Sequence, residues 1–357
     1  MAENGSAPSV SLLVPVYNVE RYLAECLDSV VAQTFGDFEV VCVNDGSTDG
    51  SRDIIERYLA DPRFRVIDKA NSGYGASMNR GLREARGKYV AILESDDFME
   101  PGALERLVGV AEDAGAQVVK ARFWFYWSAP APRNEPYRFY GDVTCGRPFC
   151  PMDDEAIFHE KPSIWSALYR RDFLEANDIR FLETPGASYQ DASFNFKAWA
   201  CADRVVVLDE EFVHYRQDNE ASSVNSPAKV YCVCDEYAEM EAFARRLPAR
   251  RDALRGILTR MRYDSYVWNI ERLSLDLGRQ FVFRMAEDFA PLVEDDVAMA
   301  RLEPWRAERA RAVVRNPLLF FAQQTCRDDW SFVRKMRHYL RVGGPSLLVG
   351  AVRERLR

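Results

Sequence analysis

The sequence predicts an α/β protein: a mostly parallel sheet with helices on both faces, followed by an all-helical C-terminal region. Two observations carry this reading. Short apolar runs alternate with helix-period segments through the first hundred residues, the chain order of parallel strands joined by crossover helices; beyond about residue 230 only helical periodicity remains. Residues 9–14 (SVSLLV) read as a buried strand, and Val19, Tyr22, Leu23, Cys26, Leu27, Val30 and Val31 form the stripe of an amphipathic helix. Residues 38–43, 64–67 and 89–93 read as further strands, and 51–59, 74–85 and 101–114 as helices, the last with Pro101 suited to a first helical turn. From 117 to 151 the chain turns aromatic-rich and proline-punctuated (RFWFYWSAPAPRNEPYRFYG), predicting antiparallel strands and long loops. A helix over 190–201 and strands near 205–208 and 212–215 follow. Ser and Pro at 225–229 set the expected domains at 1–228 and 229–357.

Composition narrows the function classes. With 357 residues, 48% hydrophobic and 29% charged, the chain is neither disordered nor a small stapled scaffold. A net charge of −8 argues against nucleic-acid binding, which needs clustered Lys and Arg. The eight cysteines include no CxxC pair, so reduced thiols in a cytoplasmic protein are expected rather than a zinc knuckle. The start MAENGSAPS lacks the features of a signal peptide, and no apolar run approaches the roughly 18 residues that cross a bilayer. The segment 330–357 carries seven Lys or Arg and one Glu, interleaved with Phe332, Val333, Met336, Tyr339, Leu340, Leu347, Leu348 and Val352. Such a basic amphipathic end suits peripheral contact with the inner face of the cytoplasmic membrane; packing of those apolar residues on the protein is the alternative.

In a parallel sheet, ligands sit beyond the carboxyl ends of the strands, and polar clusters stand at those ends here. The first strand runs into VPVYN (14–18), where Pro15 and Tyr17 offer a flat wall to a planar ring or simply turn the chain. The second ends in NDGSTDGS (44–51); the Asp45 carboxylate, an acceptor only, either takes a nucleobase N–H or serves the turn. The third leads to NSGYGASMN (71–79), where Gly73 and Gly75 permit close approach of backbone to a ligand. The fourth ends ILESDDF (92–98). Three carboxylates there, Glu94, Asp96 and Asp97, crowd like charges unless a cation relieves them, and hard oxygen ligands point to Mg²⁺ or Mn²⁺.

VPVYN, VNDGSTD, NSGYGASMNRGLREARGKYVAILESDD and YQDASFNFKAW, in this order over residues 9–216, resemble family 2 of the glycosyltransferases, of the bacterial polysaccharide and cell-surface type. The resemblance implies the GT-A (Rossmann-like) fold and inverting transfer from a UDP-sugar donor to a glycan or lipid-linked acceptor. By this likeness Pro15, Tyr17, Glu20 and Asp45 hold the uridine, Gly73 and Asn79 lie against nucleotide and sugar, and Glu94–Ser95–Asp96 forms the metal-binding Asp-x-Asp element. Asp96 would be the direct ligand of Mn²⁺ or Mg²⁺ and Asp97 its neighbour. Asp191 matches the catalytic base; without the likeness, an aspartate at a helix start reads as a cap. Trp165 resembles a position beside the acceptor, although a core tryptophan is the plain alternative. His214 and Arg216 resemble a segment that closes on the diphosphate, with His214 on the metal and Arg216 on leaving-group charge; a satisfied histidine is the other reading. Three departures stand out: Glu94 where the family has a first aspartate, Met78 where it often has arginine, and Gln190 where glutamate often precedes the base. A catalytically silent nucleotide-sugar-binding scaffold of a glycan assembly complex is the competing reading.

Overall fold

The computed structural model describes residues 7–186, 189–219 and 229–355, with side chains described up to residue 349. The chain divides into two compact units, Met1–Asn225 and Ser226–Arg357; the expected boundary at 228–229 adjoins a stretch outside the described residues.

The first unit is built on a nine-stranded, mostly parallel sheet. Its parallel part runs β3 (Phe64–Asp68), β2 (Phe38–Asn44), β1 (Val10–Val16) and β4 (Tyr89–Ile92). Every residue of β1 and β2 is buried, as expected of strands covered on both faces. The crossover helices α1 (Leu23–Val31), α2 (Ser51–Tyr58) and α3 (Tyr74–Glu84) present Leu23, Cys26, Leu27 and Val30, then Ile54 and Ile55, then Met78 and Leu82 to this sheet. The sheet continues through strands that the periodicity did not separate. β5 is the two-residue strand Phe98–Met99, α4 spans Ala103–Ala114, β6 is Val118–Trp127 and β7 is Arg133–Pro136, antiparallel to β6. β8 (Ala167–Arg170) runs antiparallel to both β4 and β6. Helices α5 (Arg171–Ala176) and α6 (Gln190–Cys201) precede β9 (Val205–Arg216), which is parallel to β6 and antiparallel to β5. The two strands expected near 205–208 and 212–215 are this one strand, carried across the acidic stretch 209–211 by register shifts against β6. Antiparallel β8 and β5 thus interrupt the expected parallel order, with β8 lying between β4 and β6.

Opposite the ligand end, Glu39 on β2 is buried and carries a full set of partners. Ser11 Oγ donates to it at 2.6 Å, the Arg86 N–H at 2.9 Å and Arg65 Nε at 2.9 Å. Burial works against its charge, but the bonds from Arg86, Arg65 and Ser11 outweigh burial and pull its pKa down to about 2. A carboxylate whose folded pKa is depressed stabilises the fold fully above its ordinary value of 4.5 and loses that contribution as pH falls towards 2. At 1.36 kcal/mol per unit the contribution is at most ~3 kcal/mol. Glu39→Gln is therefore expected to flatten the loss of stability between pH 4.5 and 2 in urea titrations. An acid limb identical to that of the parent chain would contradict this pairing.

The second unit is helical: α7 (Cys232–Ala244), α8 (Arg251–Arg272), α9 (Leu275–Val293), α10 (Asp296–Met299), α11 (Pro304–Arg315), α12 (Pro317–Gln324) and α13 (Phe332–Arg355). Tyr237, Met240, Leu254, Ile257, Tyr266, Phe281, Phe289 and Phe321 fill its core. α13 breaks at Gly343 and Gly344, before Pro345, where Gly344 adopts φ +73°. His338, Val342 and Leu347 are buried, whereas Phe332, Val333, Leu340 and Val349 remain exposed. Part of the basic end therefore packs on its own unit. Among the described residues no helix is long and apolar enough to cross a membrane, and no two cysteines are joined in a disulfide.

Candidate active site

The carboxyl ends of β1, β2 and β4, the β4–β5 turn, the start of α6 and the end of β9 carry the polar residues singled out above. The Leu93 N–H donates to Leu13 O at 3.0 Å and the Asp97 N–H to Glu94 O at 3.0 Å, fixing the Glu94–Ser95–Asp96–Asp97 turn on the strand tip. Tyr74 Oη donates to Glu94 Oε1 at 2.5 Å. Burial nonetheless pushes the Glu94 carboxyl up to about 8, aided by the charges of Asp96 and Asp191. Ser95 is buried inside the turn. Asp96 is half-buried and accepts from Asn219 Nδ2 at 2.7 Å. Asp97 is buried; its Oδ1 accepts the Arg216 N–H at 2.8 Å, and Oδ2 has no hydrogen-bond partner. Burial and the Asp96 charge raise its pKa well above the ordinary carboxylate range.

Asp191 lies in the first turn of α6, after Tyr189 enters the left-handed region at φ +55°. It accepts the Ala192 N–H at 2.9 Å. Burial raises its pKa, opposed by Lys161, backbone N–H groups and Lys120. Sequence periodicity did not single out these two cations. Lys161 stands over the Tyr215 ring, 5.2 Å from its centroid, and burial lowers its pKa against the pull of Asp191 and Asp97. Lys120 is buried in β6, donating to Ser163 O, to Ser163 Oγ at 2.6 Å and to Ser166 Oγ at 2.7 Å, and burial brings it down to about 7. A lysine between Val119 and Ala121 in an apolar strand was the one available signal for it. Tyr215, whose protonation feels Asp97, Asp191, Asp96 and Glu94, was missed because it sits between the more conspicuous His214 and Arg216.

The other expected residues divide. Pro15 lies within buried β1, while Tyr17 is 52% exposed and free to stack. The two oxygens of Asp45 accept from Lys69 Nζ, from the Ser72 N–H at 2.9 Å and from the Gly73 N–H at 3.0 Å, leaving room for about one more donor on a carboxylate. Glu20 accepts the Gly50 N–H at 2.6 Å, next to the start of α2. Gly73 and Asn79 lie against another part of the chain. The chain segment 181–186 occupies the space expected for a ligand, with Asn79 Nδ2 donating to Phe181 O and Glu183 Oε1, both at 2.9 Å, and Asn79 Oδ1 accepting the Phe181 N–H. A Cβ on Gly73 would meet Thr184 O at 2.8 Å, and one on Gly75 would stand 2.1 Å from Leu182 O. These residues dock the stretch before the Asp191 helix. Gly75→Ala is expected to destabilise the fold by roughly 1–3 kcal/mol, read as a lower Tm; an unchanged Tm would contradict the close approach.

His214 and Arg216 both have partners within the protein. His214 is buried and stacked on Phe98 at 4.2 Å, with Nε2 2.8 Å from Glu100 Oε1 and Nδ1 3.0 Å from Asn134 Oδ1, so both ring nitrogens are engaged away from Asp96. The Arg216 guanidinium is buried between the rings of Tyr22 and Tyr126, 4.6 and 4.9 Å from their centroids. It donates to Glu25 and, through Nε at 2.8 Å, to Asp96 O. It braces the turn from behind. Alternation along β9 puts Tyr215 on the face opposite His214 and Arg216, against Trp165 and beneath Lys161. Trp165 is 7% exposed and packs on Phe123 at 4.6 Å and Tyr215 at 4.9 Å, the core alternative.

Residues 11–197, more than half of the chain, match the family model "Glycosyl transferase family 2". Glycosyltransferase EpsJ of Bacillus subtilis, described as uncharacterized, is 35% identical over 223 residues, 59% of this chain and 62% of EpsJ. Putative glycosyltransferase EpsH of the same organism is 36% identical over 216 residues, 58% of this chain and 61% of EpsH. The matched segment thus spans about three fifths of the length of these relatives. Among solved structures, residues 1–349 of S. aureus TarS in complex with UDP-GlcNAc share the fold with a TM-score of 0.70 at 23% identity, over 88% of this chain and 90% of that one.

Proposed function

Because the chain belongs to glycosyl transferase family 2, we propose that it moves a sugar from a UDP-sugar to a hydroxyl of a glycan or lipid-linked acceptor by a single, inverting displacement. The observation that carries this reading is that Tyr74 joins the two ends of the site: its Oη donates to Glu94 Oε1 at 2.5 Å and its N–H to Gly186 O at 2.9 Å, an oxygen that also accepts Gln190 Nε2 beside Asp191. A base candidate and a donor-end carboxylate cluster therefore share one site. In the proposed step Asp191 takes the acceptor O–H proton, the oxygen forms a bond to the anomeric carbon, and the bond from that carbon to the diphosphate oxygen breaks, releasing UDP. Attack opposite the leaving group inverts the anomeric configuration. Tyr17 would stack on the base, Asp45 would accept one N–H from it, and Lys161 would hold Asp191 in its charged form.

The residues also fit a divalent cation, Mn²⁺ or Mg²⁺. Asp96 offers hard carboxylate oxygen beside the unpartnered, buried Asp97 Oδ2. Among the described residues no group of three His, Cys, Asp or Glu is arranged to hold a metal, so the remaining ligands would have to come from donor phosphates and water. Asp96 would hold it, and when bound it would neutralise charge on the diphosphate. The exposed Phe332, Val333 and Leu340 beside the basic residues of α13 support peripheral contact with an anionic membrane surface. Calorimetric titration with UDP, GDP and CMP, each with and without Mn²⁺, tests the reading. Metal-dependent, UDP-selective binding is expected; absence of nucleotide binding would overturn this reading and the nucleotide-sugar-binding scaffold alike, whereas binding without any transfer would favour the scaffold.

A further inference from the structure

The helical unit contains a cavity of about 430 Å³ that the transferase reading leaves without a role. Its floor is apolar, formed by Ile270, Leu273 and Phe321, and one wall is the first part of α13. Arg334, Arg337 and Arg341, at spacings of three and four, share that helix face and line the cavity together with Trp330 and His338. His338 is buried and anchored, its Nε2 3.0 Å from Thr325 Oγ1 and 3.2 Å from Ala322 O, which fixes the helix against α12. Arg334 lies over Trp330, 4.4 Å from the ring centroid.

Several other arginines of this unit are matched with carboxylates: Arg262 with Glu241 at 2.8 Å, Arg306 with Asp264 at 2.9 Å and Glu303 at 2.7 Å, and Arg255 with Asp295. Arg337 and Arg341 have no such partner among the described residues, although both border a concavity. The acid on its lining, Glu271, is exposed and accepts Gln324 Nε2 at 2.7 Å. Three guanidinium forks around an apolar floor match a phosphate in geometry as well as charge, because the planar fork pairs bidentately with its oxygens. The volume lies within the range of small-molecule sites.

We propose that this cavity binds a phosphate or diphosphate group attached to a sugar or lipid, held by Arg334, Arg337 and Arg341 with the attached moiety against Trp330 and Phe321. The site stands independently of donor binding in the other unit. The test uses the full chain, the Arg337→Gln/Arg341→Gln variant and, as a control of equal charge, Arg251→Gln/Arg311→Gln. Each is titrated with inorganic pyrophosphate in EDTA and separately with phosphatidylglycerol and phosphatidylcholine vesicles, and UDP binding with Mn²⁺ is followed in the same preparations. We expect saturable binding by the parent and control chains, with the dissociation constant raised at least about tenfold in the cavity variant. Loss in the pyrophosphate arm identifies a freely diffusing phosphate ligand; loss confined to phosphatidylglycerol vesicles identifies a lipid headgroup. Equal behaviour of cavity variant and control in both arms, or no saturable binding in either, overturns the proposal. Failure of UDP binding in all three chains would count against the donor reading alone.

Discussion

Asp191→Asn is expected to lower sugar transfer by about 10²–10⁴-fold, the range of general-base catalysis, while UDP binding stays within a factor of about two. The substitution is nearly isosteric and retains an oxygen to accept the Ala192 N–H, so α6 should keep its start. What disappears is the acceptor of the sugar hydroxyl's proton. UDP release in the presence of acceptor, measured beside calorimetric UDP binding, separates the two effects; normal turnover by the variant would remove Asp191 from the mechanism. The same assignment has a pH signature. Burial raises the Asp191 pKa and Lys161 restrains the rise, so kcat/KM should fall on the acid side above the ordinary carboxylate range. Lys161→Met removes a cation that favours the charged form and should move that limb to higher pH. A limb that stays in place, or moves down, would separate Lys161 from the base.

Asp96→Ala is expected to weaken Mn²⁺-dependent UDP binding at least about tenfold, ~1.4 kcal/mol, and to leave the smaller metal-free binding nearly unchanged. The side chain accepts a bond from Asn219 at 2.7 Å, whereas the turn is held by backbone bonds and by Arg216 on the Asp96 carbonyl. The loss should therefore register in ligand binding rather than in folding. Equal metal dependence in parent and variant would mean that the cation, if bound, rests elsewhere.

Much of this architecture is legible along the chain, for reasons that can be traced to particular elements. β1, β2 and β4 announce themselves because strands buried on both faces need unbroken apolar runs, and α6 begins and ends where its pattern does. Even the carboxylate cluster at residues 94–97 is visible, since like charges closing an apolar strand demand a reason. β5 and β8 were not visible: a strand of two residues is too short for any period to emerge, and the apolar letters of β8 run on from the short helical turn Ile164–Ser166. The site was legible in its residue types and less so in their directions. Gly73, Gly75 and Asn79 are consistent with a ligand's approach, yet a segment a hundred residues later fills that space.

By itself the sequence determined the α/β class, the order of the strand-tip motifs, the helical second half and the chemistry of the acidic turn. These are properties of local pattern, set by which side chains a helix or strand must bury. Only the tertiary structure decided how three adjacent residues of β9 divide. It set Tyr215 against Trp165 and beneath Lys161 and committed His214 to Glu100 and Asn134. It also buried Arg216 behind the turn and brought Lys161 into the field of Asp191. The physical reason is that a strand alternates its faces residue by residue while its pairing is set by segments distant in sequence. Adjacent letters therefore part company only when β9 meets β5 and β6.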